Sequence, residues 1–321
     1  MNHPFQEEIV NINGAFTLEG TLTIPAAARK KYPAVLIISG TGKSNRDGNG
    51  SKLDMNLYKD LAEMITKLGF ITLRYDKRGT HKSKGVYIET GFWDLVDDAE
   101  SAVRFLASRP EVDNEKIIIL GHSEGCMIAA AVNARAPQAG LVLLAGVAEP
   151  SKIAFPRQVQ QALKEIDEMP GYKGKLIRFI TKLQNPEKKN REFFAKVLAS
   201  TRPSIRIYGL IPFNAKWYRE QYAYNVMDEL SKVTCPTLAI TGSNDIQVIP
   251  DHARLAAETV KGESEWHVIP HMNHILRKYE KPHTMLNLLK EYKKLINKPI
   301  DPDLYPLLSK WLQKHYIVAE A

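Results

Sequence analysis

The chain has 321 residues, 44% of them hydrophobic, so it is long enough to bury a large core. Its two cysteines, Cys126 and Cys235, provide neither a disulfide framework nor a metal-ligand cluster, and we expect both to be buried or partly buried thiols. The N-terminus lacks the basic start and apolar core of a secretory signal, and no apolar run approaches the roughly 20 residues of a membrane-spanning helix. We therefore expect a cytoplasmic protein with no membrane partner.

The formal net charge of +8 is concentrated in one part of the chain. Residues 151–228 contain 15 Lys and Arg against 7 Asp and Glu, which leaves 29 residues of each sign elsewhere. The basic residues are scattered, and no nucleic-acid-binding motif accompanies them. The excess favours a solvated basic face over a nucleic-acid surface, with attraction of anionic substrates as the alternative.

The first half of the chain alternates between strands and helices. It opens with a predicted hairpin, 7–12 and 16–25, whose turn is Asn13-Gly14. Apolar runs then predict strands, and amphipathic stretches predict the helices between them. The strands are 34–40, 70–76, 116–121 and 140–146, and the helices are 57–69, 92–110 and 124–137. Unbroken apolar strands alternating with helices predict an α/β fold with a mostly parallel sheet of about eight strands, covered by helices on both faces.

This alternation stops after Gly146 and resumes near residue 236. From about residue 150 to 230 the sequence is basic, aromatic and helical, with no clear strand run, and it is interrupted by Pro156, Pro170, Pro186, Pro203 and Pro212. Strands at 236–242 and 265–270 and helices at 251–260 and 284–297 then follow. We predict an α/β core formed by 1–149 and 229–321, with residues 150–228 inserted as a helical cap, or lid.

The stretch ISGTGKS, residues 38–44, resembles a phosphate-binding loop but does not meet its requirements. That loop needs G-x-x-x-x-G-K-[ST] followed directly by a helix, whereas Ile37 stands at the first glycine position. Turn-forming residues, rather than a helix start, follow Ser44. Nucleotide hydrolysis is therefore not expected.

The strongest motif is GHSEG, residues 121–125, which matches G-x-S-x-G. An apolar strand precedes it and a helix of small residues follows it, which is the setting of a nucleophile elbow. Ser123 is the predicted nucleophile, and the glycines on either side are needed because side chains there would clash.

A serine nucleophile needs a base, and the base needs an orienting carboxylate. Asp245 follows a strand beyond the insertion and is the predicted acid, whereas nearby Asp251 is expected to cap the next helix. Two loop histidines after the following strand could be the base: His274, which we favour, and His271. His267 is expected inside the strand.

Together, GHSEG, TGSNDIQV and HMNHIL resemble the α/β-hydrolase superfamily. ISGTGKSNRDGNG and LRYDKRGTHKS are similar to segments of serine esterases close to the dienelactone-hydrolase and prolyl-oligopeptidase-like groups. One departure is His81, where those relatives usually have glycine. The resemblance implies acyl transfer to Ser123, with His274 as base and Asp245 orienting it, and an oxyanion hole formed by the backbone N–H groups of Thr41 and Glu124. It implies no cofactor and no metal.

We therefore expect a serine carboxylesterase acting on small or aryl esters, with a homodimer as one option for its assembly. A thioesterase, acyltransferase or peptidase using the same three residues, and a non-catalytic ligand receptor on the same fold, are the alternatives. A cysteine nucleophile would indicate a dienelactone hydrolase, but position 123 is serine. Aromatic residues of the insertion are expected to form mainly its own core, with two or three lining a substrate pocket.

Overall fold

The structure is a computed structural model that describes residues 4–50, 53–184, 186–207 and 210–317. Within these residues the chain forms twelve strands and eleven α-helices. None of the helices in this part of the chain is both long and apolar enough to cross a membrane.

The strands are β1 (Phe5–Ile12), β2 (Leu18–Pro25), β3 (Tyr32–Ile38), β4 (Asn49–Gly50), β5 (Leu53–Asp54), β6 (Ile71–Tyr75), β7 (Val112–His122), β8 (Gly140–Leu144), β9 (Ser204–Ile207), β10 (Ile211–Asn214), β11 (Thr237–Gly242) and β12 (Ser264–Ile269). The helices are α1 (Leu57–Thr66), α2 (Phe92–Ser108), α3 (Glu124–Arg135), α4 (Ser151–Glu168), α5 (Gly171–Gln184), α6 (Pro186–Ala199), α7 (Ala215–Ala223), α8 (Val226–Leu230), α9 (His252–Thr259), α10 (Leu288–Lys293) and α11 (Leu304–Tyr316).

Eight of the described strands form one sheet in the order β1-β2-β6-β3-β7-β8-β11-β12. The pairs β1–β2 and β2–β6 are antiparallel, and all the others are parallel. The carboxyl ends of the parallel strands therefore share one edge, which is where folds of this kind place their ligand crevice. The predicted mostly parallel sheet of about eight strands is confirmed.

The two faces of the sheet bury separate apolar clusters, because successive side chains of a strand point in opposite directions. In β3, Leu36 and Ile38 pack with α2 and α3, whereas Val35 and Ile37 pack with α1 and α11. Both faces are thus covered, which explains why β3 reads as a continuous apolar run.

Several local predictions need correction. The β1–β2 hairpin exists, but residues 13–17 connect its strands, because Ile12 pairs with Leu18, so the turn is longer than Asn13-Gly14. The last predicted helix is shorter, since α10 covers only Leu288–Lys293. Helix α11 was not predicted, although Leu304, Leu308, Trp311 and Leu312 recur at helical spacing and are all buried.

The inserted segment, residues 150–228, lies between β8 and β11 in the chain. It contains α4 to α7 and the start of α8, and also a short antiparallel pair, β9–β10, so the expectation that it has no strands was wrong. Its aromatic side chains pack on one another: Tyr218 is stacked on Phe155 and Phe194, and Phe193 contacts Phe213. Tyr224 instead packs on Phe92 of α2, outside the inserted segment.

Candidate active site

Ser123 occupies a strained turn between β7 and α3. Its φ of 55° and ψ of −120° are unusual for a residue with a side chain. The strand and helix approach so closely there that a Cβ on Gly121 would lie 2.3 Å from the carbonyl oxygen of Gly125. A Cβ on Gly125 would lie 2.1 Å from the carbonyl oxygen of Ile38. Glycine is therefore required on both sides of Ser123.

The structure brings Ser123, His274 and Asp245 into one hydrogen-bonded row. His274 lies on the loop after β12, with Nε2 at 3.0 Å from Ser123 Oγ. Its Nδ1 is 2.7 Å from Oδ2 of Asp245, which lies on the loop after β11. The other carboxylate oxygen of Asp245 accepts hydrogen bonds from the backbone N–H groups of Gln247 and Val248. The carboxylate is thus fixed on one side and faces the imidazole on the other.

The other histidines and the second aspartate considered from the sequence are not part of this hydrogen-bonded row. His271 is exposed on the loop before His274, where its backbone N–H donates to Ser243 Oγ. His267 lies within β12, as predicted. Asp251 occupies the N-cap position of α9, as predicted, but its carboxylate makes no capping hydrogen bond and pairs with Arg254 instead.

The loop after β3 passes directly against Ser123. A Cβ on Gly40 would lie 3.1 Å from the Cβ of Ser123, so the backbone of this loop packs closely on that residue. The backbone N–H groups of Thr41 and Glu124 have no hydrogen-bond partner among the described residues. Both are therefore free to donate to a bound group.

The side chain of Glu124 has a role that the sequence analysis missed. It is buried, and Oε2 lies 2.7 Å from Lys77 Nζ. Its Oε1 accepts hydrogen bonds from Trp217 Nε1 and Gln221 Nε2 of α7, each at 2.6 Å. Lys77 also donates to the carbonyl oxygen of Gly40 at 2.6 Å. The only feature of the sequence that pointed to this cluster was the charged residue within GHSEG, Glu124.

His122 connects the elbow to two neighbouring loops. Its Nε2 lies 2.8 Å from the carbonyl oxygen of His274 and must donate to it, since a carbonyl can only accept. Its Nδ1 is then an acceptor for Tyr58 Oη at 3.0 Å, and Tyr58 Oη accepts from the backbone N–H of Gly40. Burial, together with the neighbouring His274, lowers the pKa of His122 to about 3. His122 is therefore neutral near pH 7, which this hydrogen-bond pattern requires.

Two further ion pairs brace the loop that follows Thr41. Arg46 binds Asp76 through both its backbone N–H and its guanidinium, at 2.7 and 2.9 Å. Asp47 accepts from buried Arg74 at 2.7 Å. Arg46 and Asp47 therefore both brace this loop through their side chains.

His81, the departure from the esterase segment, adopts a φ of 44°. This left-handed conformation suits glycine, which explains the preference of the relatives. The His81 ring contacts the carbonyl oxygen of Lys43.

A cavity of about 880 Å³ lies in the inserted segment. Its walls are mostly apolar and aromatic, and include Phe155, Leu163, Phe194, Trp217 and Tyr218. Trp217 contacts Glu124, the residue after Ser123. On another side, the wall residue Gln158 donates to the carbonyl oxygen of Gln247, two residues beyond Asp245. Two wall residues of the cavity are therefore tied by hydrogen bonds to the elbow and to the loop that holds Asp245, while Ser123, Asp245 and His274 do not line the cavity.

Among the described residues, one group has donors close enough together to hold a metal ion: Glu263, Glu265 and His315. It lies at the amino-terminal end of β12, opposite the end that leads to His274. Lys314 already pairs with both carboxylates. The group is thus explained as a surface ion-pair cluster. Cys126 and Cys235 are free and buried, as expected.

A mostly parallel eight-stranded sheet, with a serine on a strained turn between a central strand and the next helix, defines the α/β-hydrolase fold. The chain belongs to the family described as serine aminopeptidase, S33, whose model matches residues 49–281. It is therefore a hydrolase, and the resemblance to the α/β-hydrolase superfamily is confirmed.

The relatives and structural neighbours include several esterases. The chain is 25% identical over 315 residues to esterase EstD of Thermotoga maritima, covering 97% of this chain and 68% of that protein. The solved structure of Est1E from Butyrivibrio proteoclasticus with ferulic acid is similar with a TM-score of 0.57 and 16% identity, covering 90% of this chain and 98% of that one. The Pyrococcus furiosus esterase Pf2001 is similar with a TM-score of 0.59 and 16% identity, covering 97% and 92%. At these identities the solved structures establish a shared fold.

Proposed function

We propose that the protein is a serine carboxylesterase that forms an acyl-enzyme on Ser123. The observation that carries this proposal is the continuous contact from Ser123 Oγ through His274 to Asp245. In the proposed reaction His274 removes the Ser123 proton as Oγ attacks the ester carbonyl, and then delivers that proton to the leaving alcohol. Asp245 holds the tautomer with the proton on Nδ1 and stabilises the imidazolium that forms. Water then hydrolyses the acyl-enzyme with His274 again as base.

The negative charge that develops on the carbonyl oxygen needs preorganised donors. We assign this role to the backbone N–H groups of Thr41 and Glu124, because the loop of Thr41 lies against Ser123 and neither group is otherwise engaged. Removing one such donor typically lowers kcat by about 10²–10³-fold. This assignment involves no cofactor.

Ester chemistry is supported by the described relatives, since EstD, Est1E and Pf2001 are all named as esterases. The cavity supports a substrate with an aryl or other apolar group, because its walls are aromatic and its volume suits a small organic molecule. Since the inserted segment forms most of these walls, we propose that it acts as a cap over the site.

Peptide hydrolysis is the second candidate, because the family model that matches is described as a serine aminopeptidase. An aminopeptidase needs an acidic group to receive the substrate ammonium. Glu124 adjoins Ser123, but Lys77, Trp217 and Gln221 already occupy its carboxylate. This favours an ester over a free amino terminus. Comparing p-nitrophenyl esters with amino-acyl p-nitroanilides on the same preparation distinguishes the two activities.

The decisive variant is Ser123→Ala. Its kcat on p-nitrophenyl butyrate should fall at least about 10⁴-fold, because no other group can accept the acyl group. Ser108→Ala, at the exposed end of α2, is the control and should keep the wild-type rate. A Ser123→Ala enzyme with most of its activity would disprove the assignment, and a wild-type protein without turnover would indicate a ligand receptor.

A further inference from the structure

The ion pair between Lys77 and Glu124 is buried on both sides, with each side chain only 3% exposed. Removing two charges from water carries a desolvation penalty that their attraction at best roughly offsets, so an apolar pair of similar size would stabilise the fold as well or better. Stability alone therefore gives no reason for this pair. The reason lies in the residues that Lys77 and Glu124 contact.

Lys77 holds the peptide group that carries one proposed oxyanion donor. Its Nζ donates to the carbonyl oxygen of Gly40 at 2.6 Å. That carbonyl and the N–H of Thr41 belong to the same planar trans peptide, so they point in opposite directions and rotate together. Fixing the carbonyl thus fixes the direction of the Thr41 N–H. Gly40 has no side chain that could provide this restraint.

The preceding peptide is held separately. The N–H of Gly40 donates to Tyr58 Oη at 2.7 Å, and Tyr58 in turn contacts His122. Gly40 is therefore held at its N–H by a neutral phenol and at its carbonyl by a cation. Of these two contacts, the one from Lys77 acts on the peptide that ends in Thr41.

The other partner of Lys77 is the residue that carries the second proposed donor. Glu124 provides its backbone N–H at the start of α3 and its carboxylate to Lys77. Trp217 and Gln221, one turn apart on α7, bind the remaining carboxylate oxygen. A single buried network thus joins both donor peptides and the wall of the cavity.

We propose that Lys77 is a positioning residue for the oxyanion hole, aligning the Gly40–Thr41 peptide while Glu124 anchors the ammonium. This inference rests on the proposed esterase function. It predicts that losing Lys77 weakens transition-state stabilisation at the carbonyl oxygen while leaving Ser123, His274 and Asp245 in contact.

The test compares an aryl ester with its thionoester, in which sulfur replaces the carbonyl oxygen. Sulfur is a larger atom and a poor hydrogen-bond acceptor, so an intact oxyanion hole favours the oxygen ester. The measured quantity is the ratio of the two kcat/KM values in wild type, Lys77→Met and the double variant Lys77→Met/Glu124→Gln. The double variant removes both charges and so avoids a lone buried carboxylate. Because both substrates are measured on one preparation, the ratio does not depend on the folded fraction.

Both variants should lower the oxygen-to-sulfur ratio by about tenfold or more, with kcat for the oxygen ester down by about 10²-fold and KM changed by less than about threefold. Arg78→Met is the control, because Arg78 is the next residue in sequence and this substitution breaks another largely buried ion pair, that with Asp98. It should destabilise the protein but keep the wild-type ratio.

An unchanged ratio in both Lys77 variants, with both rates lowered equally, would show a purely structural role and overturn the proposal. A failure of the proposed function is distinguishable, since wild type would then hydrolyse neither ester, or Ser123→Ala would retain activity.

Discussion

His122 and Glu124 flank Ser123, and each ties it to a different neighbour. His122 donates to the carbonyl oxygen of His274, so it restrains the loop that carries His274. Glu124 faces Lys77 and α7. These positions of the G-x-S-x-G motif are variable in chemistry, and here both side chains are buried and fully engaged. The motif therefore locates Ser123, while the flanking residues determine what surrounds it.

The depressed pKa of His122 makes a prediction about stability. Its pKa is about 3 in the folded protein and near 6.5 when exposed, so below pH 6.5 the unfolded state binds a proton that the native state does not. Stability from this residue is therefore complete above pH 6.5 and is lost as the pH falls toward 3. Between pH 7 and pH 5 the free energy of unfolding should fall about 2 kcal/mol more in wild type than in His122→Gln. Urea denaturation at both pH values measures this.

Between pH 8 and pH 9 the difference between the two proteins should stay constant, because His122 is neutral in both states there. If the free energies of unfolding of wild type and His122→Gln also differed by a constant amount between pH 7 and pH 5, the depressed pKa of His122 would be contradicted.

At the level of elements, the turn from β7 to α3 depends on backbone proximity. The helix start lies against the end of β3 so closely that no side chain fits at Gly125. This packing brings Ser123, the start of α3 and the loop after β3 together, and it is the physical reason for the glycines of the motif.

Gly125→Ala should lower the free energy of unfolding by about 2–3 kcal/mol, because the new methyl group would lie 2.1 Å from the Ile38 carbonyl oxygen and β3 would have to move. Gly50→Ala is the control, since a Cβ there meets no atom within 4 Å, and its effect should stay within about 0.5 kcal/mol. Equal stabilities of the two variants in urea denaturation would show that the elbow tolerates a wider turn.

The inserted segment and the sheet domain meet around the cavity. The carboxylate of Glu165 on α4 accepts hydrogen bonds from the backbone N–H groups of Met285 and Leu286. On α7, Gln221 donates a hydrogen bond to Glu124. The segment is thus fastened to the core beside the elbow and also just before α10. This arrangement gives the cavity walls on α4, α6 and α7 a fixed place relative to the elbow.

If the cavity holds the apolar group of the substrate, narrowing it should change selectivity. Ala162→Trp adds a large side chain to the cavity wall on α4 and should reduce kcat/KM for an aryl or long-chain ester at least tenfold relative to p-nitrophenyl acetate. Gln161→Trp adds the same group at the adjacent exposed position, outside the cavity lining, and should leave this ratio unchanged. A ratio unaffected by Ala162→Trp would place the substrate elsewhere.

The sequence alone predicted a mostly parallel sheet of about eight strands, the alternation of strands and helices around it, and Ser123, Asp245 and His274 as site residues. It could do so because burial on both faces leaves unbroken apolar strands and because the elbow geometry demands glycine at fixed spacing. The choice of His274 over His271 was an inference from neighbouring residues, and the three-dimensional path of the loop placed His274 against Ser123.

Only the tertiary structure revealed what holds the site in place. The residues concerned are Tyr58, Lys77, Trp217 and Gln221, which are up to 163 positions apart in the chain, as the numbering shows. Only Lys77 lies in a segment that the sequence analysis singled out, LRYDKRGTHKS, and none of the four was assigned a role there. Each owes its role to a hydrogen bond or ion pair with Gly40, His122 or Glu124. Contacts between distant residues leave no local periodicity or spacing, so folding alone decides them.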